Sequence, residues 1–489
     1  MTDTLFESLS STLGSEYTHI DEDTRQYYSM DLSLEKRETA AVVVQPSTLD
    51  EVVAVVRKAS EVGAPIVPRG GGMSYTHTFV PGSAGCVSMD MRRMNKIHDI
   101  SIEDLMVVAD PGVTWEEIYL AVSEQGGRTP YWGPLSGRFA TVGGTLSNNS
   151  SFFGSGRYGL ASEAVLGLEV VLSEGEVLHT GAWSHSRSGP FMRYHGPDLT
   201  GIFLGDAGTM GIKTKAALQL VPLPESTMAL SFSVPNFEIM NDCILEIGRT
   251  ELAAEVYGFD PLYNGLFAEL GFSFLEGIPW TVFVTVDAPT DDLAEASVAY
   301  LREIGLRYGN EIDPSVPLAV RADPFGSTPQ VITGPKGELW IPLHGLFPRS
   351  KAKEVCETTL KYFDDQAAQM AVHGIRTSLL TAANGKDLLF EPSFYWSDSL
   401  EGFRLEKLEP ERAEKLKEVP ENLEAREIAL GMRRELTTLL DEIGAIHLQV
   451  GKWYEYGRWL EPESLKFLKS LKDHIDPKNL FNPGSLGIN

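Results

Sequence analysis

The feature that most constrains this chain is a run of three consecutive glycines, Gly70, Gly71 and Gly72, between Arg69 and Met73-Ser74. Residues without a Cβ let the backbone turn tightly, so that successive N–H groups can converge on an anion. The preceding residues 65–68 predict a short strand, which places the loop at a strand end, where α/β proteins tend to bind ligands. We therefore expect this loop to line a ligand site.

Two further glycine-containing segments, residues 133–145 and 201–212, need an explanation together with the first. Each of them alone is typical of a tight turn. Three such segments at predicted strand ends favour one site for a dinucleotide, which needs backbone donors at its pyrophosphate and small residues beside its flat rings. None of the three matches the GxGxxG fingerprint or the Walker A loop, so those two binding modes are not supported.

The pattern of apolar residues predicts alternating strands and helices in the first part of the chain. Predicted strands cover 41–44, 65–68, 86–91, 105–109, 168–172 and 211–220. One predicted helix is capped by Ser47 or Thr48 and ends at Gly63, and another covers 115–124. Residues 134–158 have no periodic pattern, and such a stretch inside a compact domain is usually functional. After residues 222–224 the chain predicts a second, α+β domain, with strands at 280–287 and 338–342 and a charged helical stretch at 409–441 broken at Pro420. The expected domains are 1–224, 225–445 and a C-terminal tail 446–489.

Composition excludes several classes of protein. A formal net charge of −27 over 489 residues disfavours nucleic acid and anionic membrane surfaces as partners. The three cysteines are far apart, so neither a disulfide framework nor a thiolate zinc site is expected, which favours a reducing cytoplasmic location. The polar N-terminal residues lack the apolar core of a secretory signal, and we expect no membrane span.

The order and content of these segments resemble the FAD-linked oxidases of the vanillyl-alcohol oxidase and p-cresol methylhydroxylase (PCMH-type) superfamily. The matching pieces are 65–75, 140–145 with Asn148-Asn149, 157–159, 167–171 with Gly175, 204–212 and 476–484. The resemblance implies an α+β protein with a two-part FAD-binding domain, a separate substrate (cap) domain, and a tail that returns to the FAD domain. It implies FAD as the cofactor and a small-molecule substrate, with oxygen or a redox partner as electron acceptor and homo-oligomers as an option.

The same resemblance implies a set of cofactor-binding residues. These are Pro68, Arg69, Gly70, Gly71, Gly72, Met73 and Ser74 at the pyrophosphate, Pro134, Thr141, Val142, Gly143, Gly144 and Ser147 along the flavin and phosphates, Gly208, Thr209, Gly211 and Ile212 on the adenine or ribitol side, and Asn482 near the isoalloxazine. Many relatives attach FAD through a histidine at the position of Met73. A thioether cannot make that bond, and His77, His344 and His373 match no linking motif, so we expect non-covalent binding.

Two substrate classes stay open. Tyr75 lies where phenol-oxidising relatives place a tyrosine, and residues 453–458 resemble their tyrosine-arginine segment, although Gly457 separates Tyr456 from Arg458. Core packing would explain these aromatic residues equally well. Relatives that oxidise D-2-hydroxy acids have a glutamate-histidine pair where this chain has Ile446-His447, and they carry a histidine-rich metal motif that is missing here. No metal is therefore expected.

The candidate catalytic residues are Tyr75, His447, Tyr456 and Arg458. A histidine titrates near neutral pH and can accept a hydroxyl proton, although His447 would equally serve as a structural group. We expect an FAD-dependent oxidoreductase that acts mainly on CH–OH donors and takes hydride from an alcohol or benzylic carbon of a small, 4-hydroxybenzyl-type substrate. The alternatives are a metal-free D-2-hydroxy acid dehydrogenase and a non-redox flavoprotein resembling alkyl-dihydroxyacetonephosphate synthase.

Overall fold

The computed structural model describes residues 2–35, 38–326, 332–334, 337–400 and 402–488. Its helices in chain order are α1 (Thr2–Leu13), α2 (Glu22–Tyr28), α3 (Leu49–Val62), α4 (Trp115–Ser123), α5 (Val142–Asn148), α6 (Ser155–Tyr158), α7 (Leu199–Ile202), α8 (Phe237–Gly248), α9 (Pro261–Glu269), α10 (Asp291–Gly305), α11 (Ser315–Ala322), α12 (Ala352–His373), α13 (Gly402–Glu406), α14 (Pro410–Leu416), α15 (Leu423–Ile443), α16 (Tyr456–Trp459) and α17 (Pro462–Ile475). The strands are β1 (Thr18–His19), β2 (Val42–Val44), β3 (Ile66–Arg69), β4 (Val87–Asp90), β5 (Ile97–Ser101), β6 (Met106–Ala109), β7 (Gly127–Arg128), β8 (Val165–Val171), β9 (Val177–His179), β10 (Ile212–Gln219), β11 (Val221–Pro222), β12 (Ser226–Val234), β13 (Glu255–Phe259), β14 (Trp280–Ala288), β15 (Asn310–Ile312), β16 (Leu339–Pro342), β17 (Gly345–Pro348), β18 (Arg376–Asn384) and β19 (Asp387–Trp396).

The chain forms two compact units. The first contains Met1–Ser150, Leu160–Pro222 and Leu448–Asn489, and the second contains Ser151–Gly159 and Leu223–His447. Residues 151–159, which the sequence pattern had placed in the first domain, therefore belong to the second unit. No helix in the described part of the chain combines the length and apolar character needed to cross a bilayer.

The first unit contains two main sheets. One has the order β1-β2-β4-β3, with β2, β4 and β3 parallel, and the other is an antiparallel sheet of order β5-β6-β10-β8-β9. Helix α3 follows β2 for local reasons: the Thr48 side chain caps its start by accepting from Glu51 N, and Gly63 ends it in the left-handed conformation at φ 68°. The buried face of α3 packs on the first sheet, in a core that also contains Phe481 from the C-terminal tail.

The tail completes the first unit. Ile66 N donates to Leu480 O at 2.7 Å, and Asn482 N donates to Ile66 O at 2.8 Å, so the tail runs beside the strand that leads into the glycine loop. Lys472 and Asp476 form an ion pair that is almost fully buried, and Lys472 Nζ also donates to Thr209 O at 2.8 Å. The C-terminal residues therefore form part of the framework of the first unit.

The second unit is built on one eight-stranded sheet of order β15-β12-β14-β13-β18-β19-β16, with β17 also paired to β19. Its strand pairs are antiparallel. Part of its core is an aromatic cluster that includes Tyr257, Phe259, Tyr263 and Phe283. The predicted break at Pro420 is present, since α14 ends at Leu416 and α15 begins at Leu423.

Two sequence expectations need correction. The aperiodic residues 134–158 contain two short helices, α5 and α6, which are too short to produce a helical pattern of apolar residues. The second glycine segment does not follow a strand, because Thr141 instead caps the start of α5. The third segment leads into β10 at its first residue, Ile212.

Candidate functional site

Two adjoining clefts in the first unit collect most of the predicted cofactor-binding residues. One, of about 510 Å³, is lined by Pro68, Arg69, Gly70, Thr78, Phe79, Met91, Pro111, Thr141, Gly143, Gly144, Ser147, Asn148, Ala207, Gly208, Gly211, Ile212 and Lys213. The other, of about 450 Å³, is lined by Gly70, Gly71, Gly72, Met73, Ser74, Phe79, Pro134, Ser136, Ala140, Thr141, Gly144, Thr145, Asn148, Ser150 and Gln449. The glycine loop is defined as residues 70–74. Gly70 is among the residues that line both clefts, and residues 71–74 line the second.

The glycine loop supplies hydrogen-bond donors. Within the described residues, the backbone N–H groups of residues 70–74 donate to no other group of the chain. Backbone donors away from water need a partner, so a loop of this kind is suited to an anionic ligand. The glycine loop therefore offers unused backbone donors, mainly to the second cleft.

The other two glycine segments are different. Val142 N donates to Val113 O and Gly143 N donates to Pro111 O, both at 2.8 Å, so the start of α5 has already used these donors. Gly208 N likewise donates to Asp206 Oδ1 at 3.1 Å. These segments therefore shape the clefts, while the glycine loop supplies the unused N–H groups.

The glycines are needed for close packing of these walls. A Cβ on Gly71 would lie 1.7 Å from Phe139 O, and a Cβ on Gly70 would lie 2.2 Å from Thr141 Oγ1. Gly208 has φ +70°, and a Cβ there would lie 2.7 Å from Pro68 Cγ. Side chains at these positions would push the walls apart, so glycine is required even before a ligand is considered.

Arg69 has a structural side chain, contrary to what its place beside the loop suggests. Arg69 is 3% exposed, and its guanidinium donates at 3.0 Å to the carbonyl oxygens of Tyr28 and Met30. It also lies 4.6 Å from the ring centroid of Phe79, and burial lowers its pKa to about 10. Although Arg69 lines the first cleft, its charge is directed to neighbouring carbonyls and rings.

A cation that no sequence motif indicated lines the first cleft. Lys213, on β10, is 5% exposed and donates to Asp206 Oδ1 at 2.7 Å and to Ser147 Oγ at 2.9 Å. The only sequence signal was a lysine at an inward position of an otherwise buried strand. Thr78, Phe79, Asn148 and Gln449 also line the clefts without having been predicted to do so.

Three predicted cofactor residues lie behind the cleft surface. Val142 is fully buried, and Thr209 Oγ1 donates to Asp206 O at 2.8 Å. Asn482 Nδ2 donates at 2.6 Å both to Thr78 O and to Ala207 O, and its Oδ1 accepts from Lys452. Since Thr78 and Ala207 line the first cleft, Asn482 acts on the cleft through their backbone.

The candidate catalytic residues of the first unit occupy different places. Tyr75 is buried at 6% exposure, and its hydroxyl accepts from Nε2 of Gln449, a residue that lines the second cleft. Tyr456 begins α16 and is 36% exposed, while the Arg458 side chain is 62% exposed and paired with Glu455. Among the described residues that line either cleft, neither Tyr456 nor Arg458 appears. Only Tyr75 is brought close to a cleft.

His447 ends the second unit, and both of its ring nitrogens are engaged. Nδ1 lies 2.6 Å from His344 O, and Nε2 lies 2.6 Å from Asp441 Oδ1. A general base needs a free lone pair at a ring nitrogen. This arrangement therefore favours the structural role that the sequence left open.

Other histidines and metal ligands add little to the site. His77 is fully buried, and its backbone N–H donates to Asp31 Oδ2 at 2.8 Å, while its ring lies between Asp31 and Glu35. Within the described residues, no three His, Cys, Asp or Glu side chains are arranged to share a metal ion.

The clefts and the fold around them define a flavin-binding protein. A family model described as "FAD binding domain" matches residues 40–181. The match assigns residues 40–181 to an FAD-binding domain, and the cofactor is FAD. The cleft residues fit that cofactor, because the unused N–H groups of the glycine loop can face its pyrophosphate and the glycines leave space beside its rings.

Relatives of known sequence match only part of the chain. The chain is 32% identical over 242 residues to glycolate oxidase subunit GlcD of Bacillus subtilis (strain 168), which covers 49% of this chain and 50% of that protein. It is 31% identical over 245 residues to a probable mitochondrial D-lactate dehydrogenase of Danio rerio, covering 49% of this chain and 47% of that protein. The chain thus spans about half the length of these curated relatives.

Solved structures match the whole fold at lower identity. p-Cresol methylhydroxylase with substrate bound has a TM-score of 0.77 at 17% identity, covering 100% of this chain and 97% of the other. The 4-ethylphenol oxidase of Gulosibacter chungangensis in complex with isoeugenol has a TM-score of 0.75 at 20% identity, covering 99% and 97%. An alkyldihydroxyacetonephosphate synthase has a TM-score of 0.70 at 18% identity, covering 98% and 84%. At these identities the comparison establishes the fold.

Proposed function

We propose that this protein is an FAD-dependent oxidoreductase that takes hydride from an alcohol or benzylic carbon of a small, 4-hydroxybenzyl-type substrate. The observation that carries the proposal is the pair of clefts in the first unit, in which the unused donors of the glycine loop suit the phosphates of FAD. FAD, when bound, supplies the hydride acceptor. Oxygen or a redox partner takes up the electrons afterwards.

The residues of the chain have separate tasks in this proposal. The glycine loop binds the pyrophosphate, and Asn482 and Lys452 fix the backbone at Thr78 beside it. Tyr75 is the proposed substrate-facing hydroxyl, since it is held by Gln449 next to the second cleft. Tyr456 stays a candidate contact, whereas the local partners of Arg458 and His447 argue against a direct chemical role for either.

A second candidate function is oxidation of a D-2-hydroxy acid. It is supported by the names of the two sequence relatives, a glycolate oxidase subunit and a probable D-lactate dehydrogenase, at 32% and 31% identity. The non-redox alternative is supported only by the fold shared with alkyldihydroxyacetonephosphate synthase. Both alternatives use the same FAD clefts, so they differ from the proposal in the reaction at the flavin and in its substrate.

Anaerobic reduction of the bound flavin separates these functions. Purified protein is expected to be yellow, and its oxidised-flavin absorbance should bleach with 4-hydroxybenzyl alcohols and change little with D-lactate, glycolate or D-2-hydroxyglutarate. Bleaching by the acids alone would refute the aromatic proposal in favour of the second candidate. A flavin that no alcohol or hydroxy acid reduces would favour the non-redox alternative.

The same sample tests the attachment of the cofactor. Because Met73 stands in the loop where a linking histidine would be needed, the flavin should be released into the supernatant on acid precipitation. Yellow colour that stays with the precipitate would contradict non-covalent binding. Admitting air to the reduced protein then shows whether oxygen alone restores the spectrum.

A further inference from the structure

Two polar side chains that line the first cleft have hydrogen-bond donors that the first unit does not use. Lys213 Nζ donates to Asp206 Oδ1 at 2.7 Å and to Ser147 Oγ at 2.9 Å. An ammonium group has three N–H donors, and the third has no partner in the described part of the chain. The Ser147 hydroxyl accepts from Lys213 and donates to no described group. We name Lys213 and Ser147 the donor pair.

The donor pair lies where a bound ligand can supply the missing acceptor. The Lys213 side chain is almost fully buried, and both residues line the first cleft. A buried donor that is left without an acceptor costs about 1–3 kcal/mol, so most such groups in native proteins are satisfied. We therefore expect the ligand of the first cleft to place an acceptor at the donor pair.

The charge of the donor pair favours an uncharged acceptor. Asp206 pairs with Lys213, and the two side chains are 1% and 4% exposed, so the ammonium charge is already balanced. The Asp206 carboxylate also accepts from Gly208 N at 3.1 Å and from Met210 N at 3.3 Å, which fixes it beside the lysine. A phosphate at this place would meet the Asp206 charge as well, whereas a hydroxyl oxygen or a ring nitrogen would not be repelled.

The two clefts divide the cofactor at its pyrophosphate. Gly70 lines both clefts, and residues 71–74, which supply unused N–H groups, line the second. The second cleft also contains Gln449, which donates to the proposed substrate-facing hydroxyl of Tyr75, so the flavin ring belongs there. The adenosine half is then left for the first cleft. Apolar side chains that suit a flat base line this cleft: Met91, Pro111 and Ile212.

We propose that the donor pair selects FAD over a mononucleotide flavin, because Lys213 and Ser147 donate to an uncharged acceptor of the adenosine half, a ring nitrogen or a ribose oxygen. The placement of the flavin in the second cleft rests on the proposed function, and the unused donors are independent of it. FMN carries the flavin and a phosphate but no adenosine. Its affinity should therefore not depend on the donor pair.

The test is titration of the full-length, flavin-free protein with FAD and FMN by fluorescence and with ADP by calorimetry. The main variant combines Asp206→Asn with Lys213→Met, which removes the ammonium group without leaving a buried carboxylate unpaired. The Kd for FAD and for ADP should rise roughly ten- to a hundredfold, the range for losing a hydrogen bond from a charged group. The Kd for FMN should change by less than about twofold, so the preference for FAD over FMN shrinks.

Two further variants make the result interpretable. Glu169→Gln with Lys215→Met removes a second lysine–carboxylate pair of β10, in which Lys215 Nζ lies 2.9 Å from Glu169 Oε1. Neither residue is among the described residues that line the two clefts, so all three affinities should stay unchanged. Ser147→Ala keeps the buried ion pair and removes one donor, so it should weaken FAD and ADP binding several-fold. This variant keeps the test open if the main variant does not fold.

Three outcomes would overturn the inference: an FAD affinity of the main variant within about twofold of the control, an FMN affinity that falls as far as the FAD affinity, or no binding of ADP by the unaltered protein. The proposed function fails separately, because these titrations need no turnover. If the main variant loses FAD and ADP affinity and no alcohol bleaches the flavin, the oxidoreductase proposal is wrong and the donor pair stands. If alcohols bleach the flavin and the main variant binds FAD normally, only the donor pair is refuted.

Discussion

Replacement of Gly71 by alanine perturbs the FAD clefts at their tightest point. A Cβ there would lie 1.7 Å from the backbone oxygen of Phe139. Ordinary carbon–oxygen contacts are about 3.3 Å or longer, so one of the two segments must move by roughly 1.5 Å. The obstacle is a backbone carbonyl, which cannot turn away as a flexible side chain would.

The size of the effect follows from which atoms must move. Overpacking a close contact costs about 1–3 kcal/mol, and a rigid backbone on both sides places Gly71→Ala at the upper end, at about 3 kcal/mol of stability. A shift of roughly 1.5 Å also takes the N–H groups of the loop from about 2.9 Å to beyond hydrogen-bonding distance of a bound phosphate. Loss of about 3 kcal/mol of binding free energy corresponds to a Kd for FAD that is about a hundredfold higher.

The matched control is Gly189→Ala. A methyl group added at Gly189 would meet no heavy atom within 4 Å, and Gly189 has no positive φ, so the same substitution should leave stability and affinity nearly unchanged. Apoprotein of each variant is titrated with FAD by fluorescence, and thermal unfolding is followed with and without FAD. If Gly71→Ala binds FAD within twofold of Gly189→Ala and unfolds at the same temperature, the steric argument for the glycine loop is wrong.

Single contacts lead to three more predictions. Asn482→Ala should weaken FAD binding about tenfold, as measured by FAD titration, because two buried carbonyls that line or flank the cleft lose their donor; unchanged affinity would contradict it. His447→Gln should lower the unfolding temperature and leave the pH profile of flavin reduction unchanged, since both ring nitrogens are engaged; loss of a pH limb would instead indicate a base. Asp398→Asn, which breaks a buried pair with Arg426, should cost about 3 kcal/mol in urea unfolding at neutral pH. Burial alone would raise the pKa of Asp398, but hydrogen bonds from Arg426 outweigh it and lower that pKa. The stability that ionised Asp398 contributes is therefore present above the unfolded-state pKa of about 3.9 and is lost as the pH falls through the lower native pKa. The difference in unfolding free energy between the unaltered protein and Asp398→Asn should therefore narrow at acid pH.

The parts of the fold that sequence could predict are those fixed by neighbours in the chain. Thr48 and Gly63 set the two ends of α3, and both act through residues within four positions of them. The order of strands in the second unit depends on pairings such as that of β13 with β18, more than 100 residues apart, which no local pattern contains. The ends of single helices could therefore be predicted from the sequence, whereas the order of strands in the second unit could not.

The candidate site likewise has one part that the sequence predicts and another that depends on the fold. The glycine loop was found because a missing side chain is visible in the sequence, whereas the direction of a long side chain is not. Arg69 looked like a phosphate ligand, and its guanidinium instead binds carbonyls of α2 and the segment after it. Lys213 carries no motif, and only the fold places it beside Ser147 and Asp206.

The C-terminal tail links these observations. The first cleft has one wall from Gly70 of the glycine loop and Thr78, and another from Ala207, Gly208 and Lys213, and these two segments are distant in the chain. Asn482 donates to Thr78 O and to Ala207 O at once, so it fixes the spacing between the two walls. A cleft defined by such a bridge is complete only after the last residues of the first unit have folded against it. FAD affinity should accordingly depend on the tail as well as on the glycine loop, although Ser74 and Asn482 lie 408 positions apart in the chain.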